Sequence, residues 1–323
     1  MSSRLTRREL AALLGGAALS GAASPVSSRF PVRHPGLVAV ARLAPGEGCG
    51  IDPTAAREAV ASALAAATGA AEAGAAVRAL FRPTDVVGVK LNCLGGRRMS
   101  PRPEVVNALV EVLAAGGIDP GRIILFERSS RELEGAGFAI SRSGEGPLCF
   151  GTDNDYEPRP SVSGEIGSCY ARLVTETCTA LVGFGVVKDH DLAGVSGSLK
   201  NWYGVIHNPN KYHDNQCDPY VADVVRHPHV ADKLRLTVLD GVTAQCHGGP
   251  AYRPDGVFDL HRLAVSTDPV AADLWAWRVL DTERVRRGLP TLEAAGRPPR
   301  FIATAAGYGL GIGDPAALEE VEV

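Results

Sequence analysis

The chain has 323 residues, 45% hydrophobic and 21% charged, with 33 basic against 36 acidic side chains and a formal net charge of -3. This composition argues against disorder, collagen-like repeats and coiled coil. So balanced a charge argues against non-specific nucleic-acid binding, which needs a surplus of Lys and Arg facing the phosphates.

Residues 1–24 read as an address label. Ser3-Arg4-Leu5-Thr6-Arg7-Arg8 is basic, and Leu10 to Ala23 contains only Leu, Ala, Gly and Ser. Gly21, Ala22 and Ala23 suit a signal-peptidase site. Arg7-Arg8 before a weakly apolar, Gly/Ala-rich stretch resembles a twin-arginine signal peptide. The expected location is therefore periplasmic or extracellular, with the twin-arginine export machinery as a partner. That route carries folded proteins, often with a cofactor already inserted. No apolar run reaches the roughly 20 residues of a spanning helix, so no membrane span is expected in the mature chain.

Residues 35–323 read as one α/β domain. Leu37–Ala41 is a strand, and Asp52-Pro53 supplies an N-cap and first-turn proline for a helix over 53–67. A second helix over 70–81 ends at Pro83. Asp85–Asn92 is a buried strand with a polar end. A helix over 103–115, closed by Gly116-Gly117, leads to a strand at 123–126 and the polar Glu127-Arg128-Ser129. The Ser/Gly/Pro/Glu-rich segment 141–165 reads as a surface excursion. Later strands are expected at 179–187, 234–240 and 261–266, with helices near 168–177, 197–206, 218–226 and 269–287. Alternating helices and Val/Ile/Leu-rich strands predict a mainly parallel sheet with helices on both faces. Sites in such sheets gather at the carboxyl ends of strands.

The seven cysteines contain no C-x-x-C pair, which argues against a zinc ribbon, a thioredoxin motif or a ferredoxin cluster. Most read as buried structural thiols, with room for one or two disulfides.

The densest polar stretch is Lys188 to Gly204. Ser196 and Gly197 lie in a Gly-flanked loop suited to presenting N–H groups to an anion, and a helix starting near Ser198 would add its positive end. Lys200 would oppose the helix dipole there, which favours a ligand-facing role over a structural one. His190, His207, His213, His227 and His229 fall within 40 residues, where an even spread would place about one. His213-x-x-x-Cys217 has the spacing of two metal ligands on one helical face, with His207 nearby. His227-Pro228-His229 reads as a turn cap, His247 as a possible return to the rim and His261 as structural. Lys90, Asn92 and Asp240 end buried strands. Asp268 reads as an N-cap and Asp273 as ambiguous.

The ordered set Val-Lys90-Leu-Asn92, Glu127-Arg128-Ser129, Lys188-Asp-His190, Gly197-Ser-Leu-Lys200-Asn201-Trp-Tyr-Gly204, Cys217-Asp-Pro-Tyr220, Gly248-Gly-Pro250 and Ser266-Thr-Asp-Pro-Val-Ala-Ala-Asp273 resembles the family catalogued as domain of unknown function 362. The resemblance runs from about Val38 to Gly311 and implies no reaction. A shorter stretch, His190-x-x-Ala193-Gly194-x-Ser196-Gly197-x-x-Lys200, is similar to the motif of nickel-pincer lactate racemases. That likeness implies an acid–base histidine at His190 and a lysine, Lys200, that holds a cofactor covalently.

Taken together, His190 and Lys200 are the expected catalytic residues. Lys90, Asn92, Ser196, Gly197, Lys200 and Asn201 are expected to bind a cofactor or a small anionic ligand, and His207, His213 and Cys217 a metal. The cofactor classes admitted are a transition metal and a covalently held organic group. The alternative to an enzyme is an extracytoplasmic anion- or metal-binding protein without turnover.

Overall fold

The structure is a computed structural model and describes residues 34–46, 50–144 and 146–323. The segment 1–24, expected to be a twin-arginine signal, therefore lies outside the described residues. The main sheet has nine strands among them: β1 (Leu37–Arg42), β2 (Val87–Leu91), β3 (Ile123–Glu127), β4 (Leu148–Gly151), β7 (Ala180–His190), β8 (Gly194–Val195), β9 (Leu234–Gln245), β10 (Val257–Ser266) and β11 (Glu319–Glu322). A separate hairpin comprises β5 (Ser161–Ser163) and β6 (Ile166–Ser168).

The sheet runs β11-β1-β10-β9-β7-β2-β3-β4, with β8 folded back on β7. Five adjacent strands from β9 to β4 are parallel, and β10 is antiparallel to both β9 and β1. The expected α/β class and mainly parallel sheet are present. Side chains alternate between faces along each strand. Ala39 and Ala41, Ile123 and Leu125, with Val87 and Val89, join one core, while Val38 and Val40, Ile124 and Phe126 join the other. Helices Pro53–Thr68, Ala73–Leu80 and Pro103–Ala115 cover the first face; Tyr220–Arg226, Pro269–Arg286 and Phe301–Gly307 cover the second. Among the described residues no single helix is long and apolar enough to cross a membrane.

Local signals set several boundaries. Asp52 accepts a hydrogen bond from the Ala55 N–H, and Pro53 opens the helix. Gly116 lies where a Cβ would come 2.4 Å from that of Val77, so its bareness lets helices Ala73–Leu80 and Pro103–Ala115 close on one another. Asp268 caps Pro269–Arg286 by accepting from the Val270 and Ala271 N–H groups.

Four expectations need correction. Segment 141–165 is more than a surface excursion, since it contributes the edge strand β4 and part of the β5–β6 hairpin. The segment 168–177 forms only a single π turn over Leu173–Thr177. The segment 197–206 forms a 3₁₀ helix, Leu199–Val205. The six described cysteines, all but Cys49, are free thiols, so no disulfide joins them.

Candidate functional site

Parallel strands β2, β3 and β7 end beside one another, and their last residues floor a cleft of about 330 Å³. That volume suits a small molecule. Lys90 comes from β2, with Asn92 just past its end, Glu127 from β3 and His190 from β7. Ser196 and the 3₁₀ segment carrying Lys200, Asn201, Tyr203 and Gly204 also line it, together with His213 and Pro250. Of the residues expected to make a site, Lys90, Asn92, His190, Ser196, Lys200, Asn201 and His213 meet here.

Their roles differ from one another. Lys90 is 1% exposed, and its three N–H groups meet three acceptors: Glu127 Oε1 at 2.6 Å, Leu91 O at 2.5 Å and Asn201 Oδ1 at 3.1 Å. Asn201 donates in return to the Lys90 carbonyl. Glu127 also accepts from the Cys93 and Arg128 N–H groups. This is a saturated buried knot, so Lys90 and Asn201 have little left for a ligand. Asn92 accepts from Lys188 Nζ at 3.2 Å.

Lys200 is the exception. It is 7% exposed, and among the described residues no carboxylate lies within 4 Å of its Nζ. Its neighbours are His213 Nε2 at 3.2 Å and the Tyr203 ring, whose centroid lies 4.1 Å away. His213 Nδ1 faces the Pro209 carbonyl at 3.2 Å and must donate to it, which leaves Nε2 as an acceptor for Lys200. Burial lowers the Lys200 pKa to about 8. The Tyr203 hydroxyl donates to the Tyr212 carbonyl and so holds the ring in place.

His190 has its Nδ1 facing the N–H groups of Leu192 and Ala193, at 3.2 and 3.3 Å. That nitrogen therefore accepts, and the hydrogen of the neutral ring sits on Nε2. Asp191 Oδ1 also lies 3.2 Å from Nδ1. The two are not an ion pair, because burial, then nearby Lys200, lowers the ring's pKa to about 2. The residue before it is clamped: Asp189 accepts from Gly249 N–H and from Arg297, and the same Arg297 nitrogen donates to the His190 carbonyl. His190 and His213 stack with centroids 5.7 Å apart.

Other expectations are overturned. The amides beside Gly197 are already occupied by a side chain of the protein: the Asp273 carboxyl, whose pKa burial raises to about 7, accepts from the Ser198 and Leu199 N–H groups at 2.6 and 2.9 Å. The Ser196 N–H is taken by Lys188 O. Gly197 is absent from the cleft lining, and a Cβ there would lie 2.5 Å from Asp273 Oδ1; its smallness serves packing. Asp240 turns inward to the Arg102 and Val242 N–H groups because β9 continues past it to Gln245. His247 meets the Asp255 carbonyl, leaving Pro250 to reach the cleft from that loop.

The metal set His207, His213 and Cys217 also fails to assemble. Its spacing assumed a helical face, but Asn215, Gln216 and Cys217 all have positive φ. His207 packs edge-on against Tyr156 in a neighbouring pocket. Among the described residues, no three His, Cys, Asp or Glu side chains are grouped to hold a metal ion.

Glu127, Arg128, Glu132 and Tyr203 line the cleft but were not expected as site residues. Their signal was weak though present, since Glu127-Arg128 follows a buried strand and Tyr203 lies three residues after Lys200.

The family model described as "Domain of unknown function (DUF362)" matches residues 87–278. No curated protein matches. The chain is similar to a solved structure described as a crystal structure of a protein from Thermotoga maritima, with 13% identity and a TM-score of 0.44 over 74% of this chain. It covers 60% of the length of that Thermotoga chain.

Proposed function

The chain belongs to the DUF362 family, and on that premise we propose that it is an exported enzyme acting on a small anionic substrate held at Lys200. The observation that carries this reading is a buried cation with no carboxylate within 4 Å among the described residues. Lys90 is neutralised by Glu127, and Arg128 by Glu132 at 2.7 Å. The two histidines are held near neutrality by burial. Among the charged side chains that line the cleft, Lys200 is thus the one cation left without a paired carboxylate. Burying a cation alone is costly, and a bound monoanion supplies the missing partner.

His190 presents Nε2–H, so its part in this reading is to donate to a substrate oxygen; a general-base role would require a free ring nitrogen. The likeness of His190–Lys200 to the lactate racemase motif favours turnover over binding alone. Export rests on Arg7-Arg8.

Equilibrium binding of propionate and inorganic phosphate to the wild-type, Lys200→Ala and His190→Ala proteins tests the reading. Binding should disappear in Lys200→Ala and survive in His190→Ala. Undiminished binding by Lys200→Ala would sink it. Binding without turnover on any carboxylate or phosphate panel would leave an extracytoplasmic binding protein instead. Replacing Arg7 and Arg8 by Lys should retain the protein in the cytoplasm, because the paired guanidiniums are not interchangeable with ammoniums.

A further inference from the structure

We propose that Lys200 is a nucleophile that forms an imine with a 2-oxo carboxylate; this rests on the anion reading of the cleft and names its substrate class. The geometry separates Lys200 from the other two buried lysines of the region. Lys90 spends all three N–H groups on protein acceptors. Lys188 is fully buried, held by Asn92 Oδ1 and Met99 O, and does not line the cleft. Lys200 alone of the three opens on the cleft with one protein acceptor, His213 Nε2. His213 is itself oriented by the Pro209 carbonyl. In the unprotonated amine, one hydrogen goes to His213, leaving the lone pair for a ligand.

Burial supports this by making the neutral amine accessible, about one part in ten at pH 7 for a pKa of about 8. The lone pair forms an N–C bond as the carbonyl π pair moves to oxygen, which takes up the proton that nitrogen sheds. The carbinolamine then takes a second proton from solvent, loses its hydroxyl as water and leaves a C=N bond protonated at nitrogen. His190 Nε2–H is the donor to the carbonyl oxygen as charge grows there. The iminium keeps the positive charge on the same nitrogen. Because one atom makes both the covalent bond and the charge pairing, the carbonyl and the carboxylate of the ligand must be adjacent.

The test incubates the full chain with pyruvate, reduces with sodium cyanoborohydride and maps the adduct by intact and peptide mass. Binding of pyruvate and of propionate is measured in parallel without reductant. The expected result is one reduced-imine adduct on the peptide containing Lys200, absent from Lys200→Arg. His213→Ala, which removes the acceptor that orients the amine, should lower its yield at every pH, and His213→Gln, which restores an acceptor, should recover it, the signature of a positioning residue. If both ligands bind and no adduct forms at Lys200, the imine is refuted and the anion site stands. If neither binds, both readings fall. An adduct of equal yield in Lys200→Arg also refutes the imine.

Discussion

The ammonium of Lys90 and the carboxylate of Glu127 meet at 2.6 Å beneath the cleft, from the ends of two adjacent parallel strands. Both side chains are nearly inaccessible. Breaking such a pair strands the survivor in a poorly solvating interior. Lys90→Met should therefore cost about 3–5 kcal/mol, and Lys90→Met combined with Glu127→Gln should recover at least half of it. Urea denaturation of the wild type and the two variants measures this; a near-neutral Lys90→Met would show that the knot carries little stability.

Lys200 should give anion binding a pH limit. With its pKa near 8, the ammonium is the main form below that value and disappears above it. Propionate affinity should be flat from about pH 6 to 7 and then approach a tenfold loss per unit above about pH 9. Lys200→Arg, which stays charged, should remove the fall. Titration calorimetry across the range decides it, and a flat wild-type profile would contradict the assignment.

Lys188 should make the protein less stable at neutral pH than in mild alkali. Burial lowers its pKa from 10.5 to about 8. Between those values the unfolded chain holds a proton that the native protein has released, so this residue makes stability rise with pH across that window. Below about pH 8 the full cost of the buried charge applies. Lys188→Met should raise stability at pH 7 by about 1–3 kcal/mol and flatten the alkaline rise, leaving the share due to Lys200. Denaturation at about pH 7 and 9.5 reads both effects; lower stability at pH 7 would refute the argument.

Gly204 should resist a single added methyl. A Cβ there would lie 2.6 Å from Lys90 Cε and 2.8 Å from Glu127 Oε1, inside the knot. Gly204→Ala should cost about 1–3 kcal/mol. Gly167→Ala, with no heavy atom within 4 Å of the new Cβ, is the control and should stay within about 0.5 kcal/mol. Equal thermal shifts in the two variants would remove the steric explanation.

What the sequence revealed divides along the range of the interactions involved. Strands β1 to β3 and helices Pro53–Thr68 and Pro103–Ala115 were legible because their caps and apolar runs are local. The meeting of His190 with Lys200 was legible because a short turn joins them. The role of Lys90 was not, since its partner Glu127 is 37 residues away. Nor was the filled amide pair of Ser198 and Leu199, whose acceptor is Asp273 on another helix. β7 ran past its expected end at Val187 because β8 pairs with Asp189 and His190, which composition alone does not announce. The His213–Cys217 spacing misled because a metal pattern presupposes a backbone that left-handed residues deny.

The arginine that grips Asp189 and the His190 carbonyl stands at position 297, beyond the span matched by the family model. A fragment excised at residues 87 and 278 would thus contain the cleft-lining side chains and lack the clamp that fixes His190. It would also lose β1, which separates β10 from β11, and the helix Pro53–Thr68 packed over that end of the sheet. Portability of this site between proteins is therefore set by the whole sheet and its C-terminal tie. Grafts or minimised versions cut to the recognisable motif would carry the letters of the site without its posture.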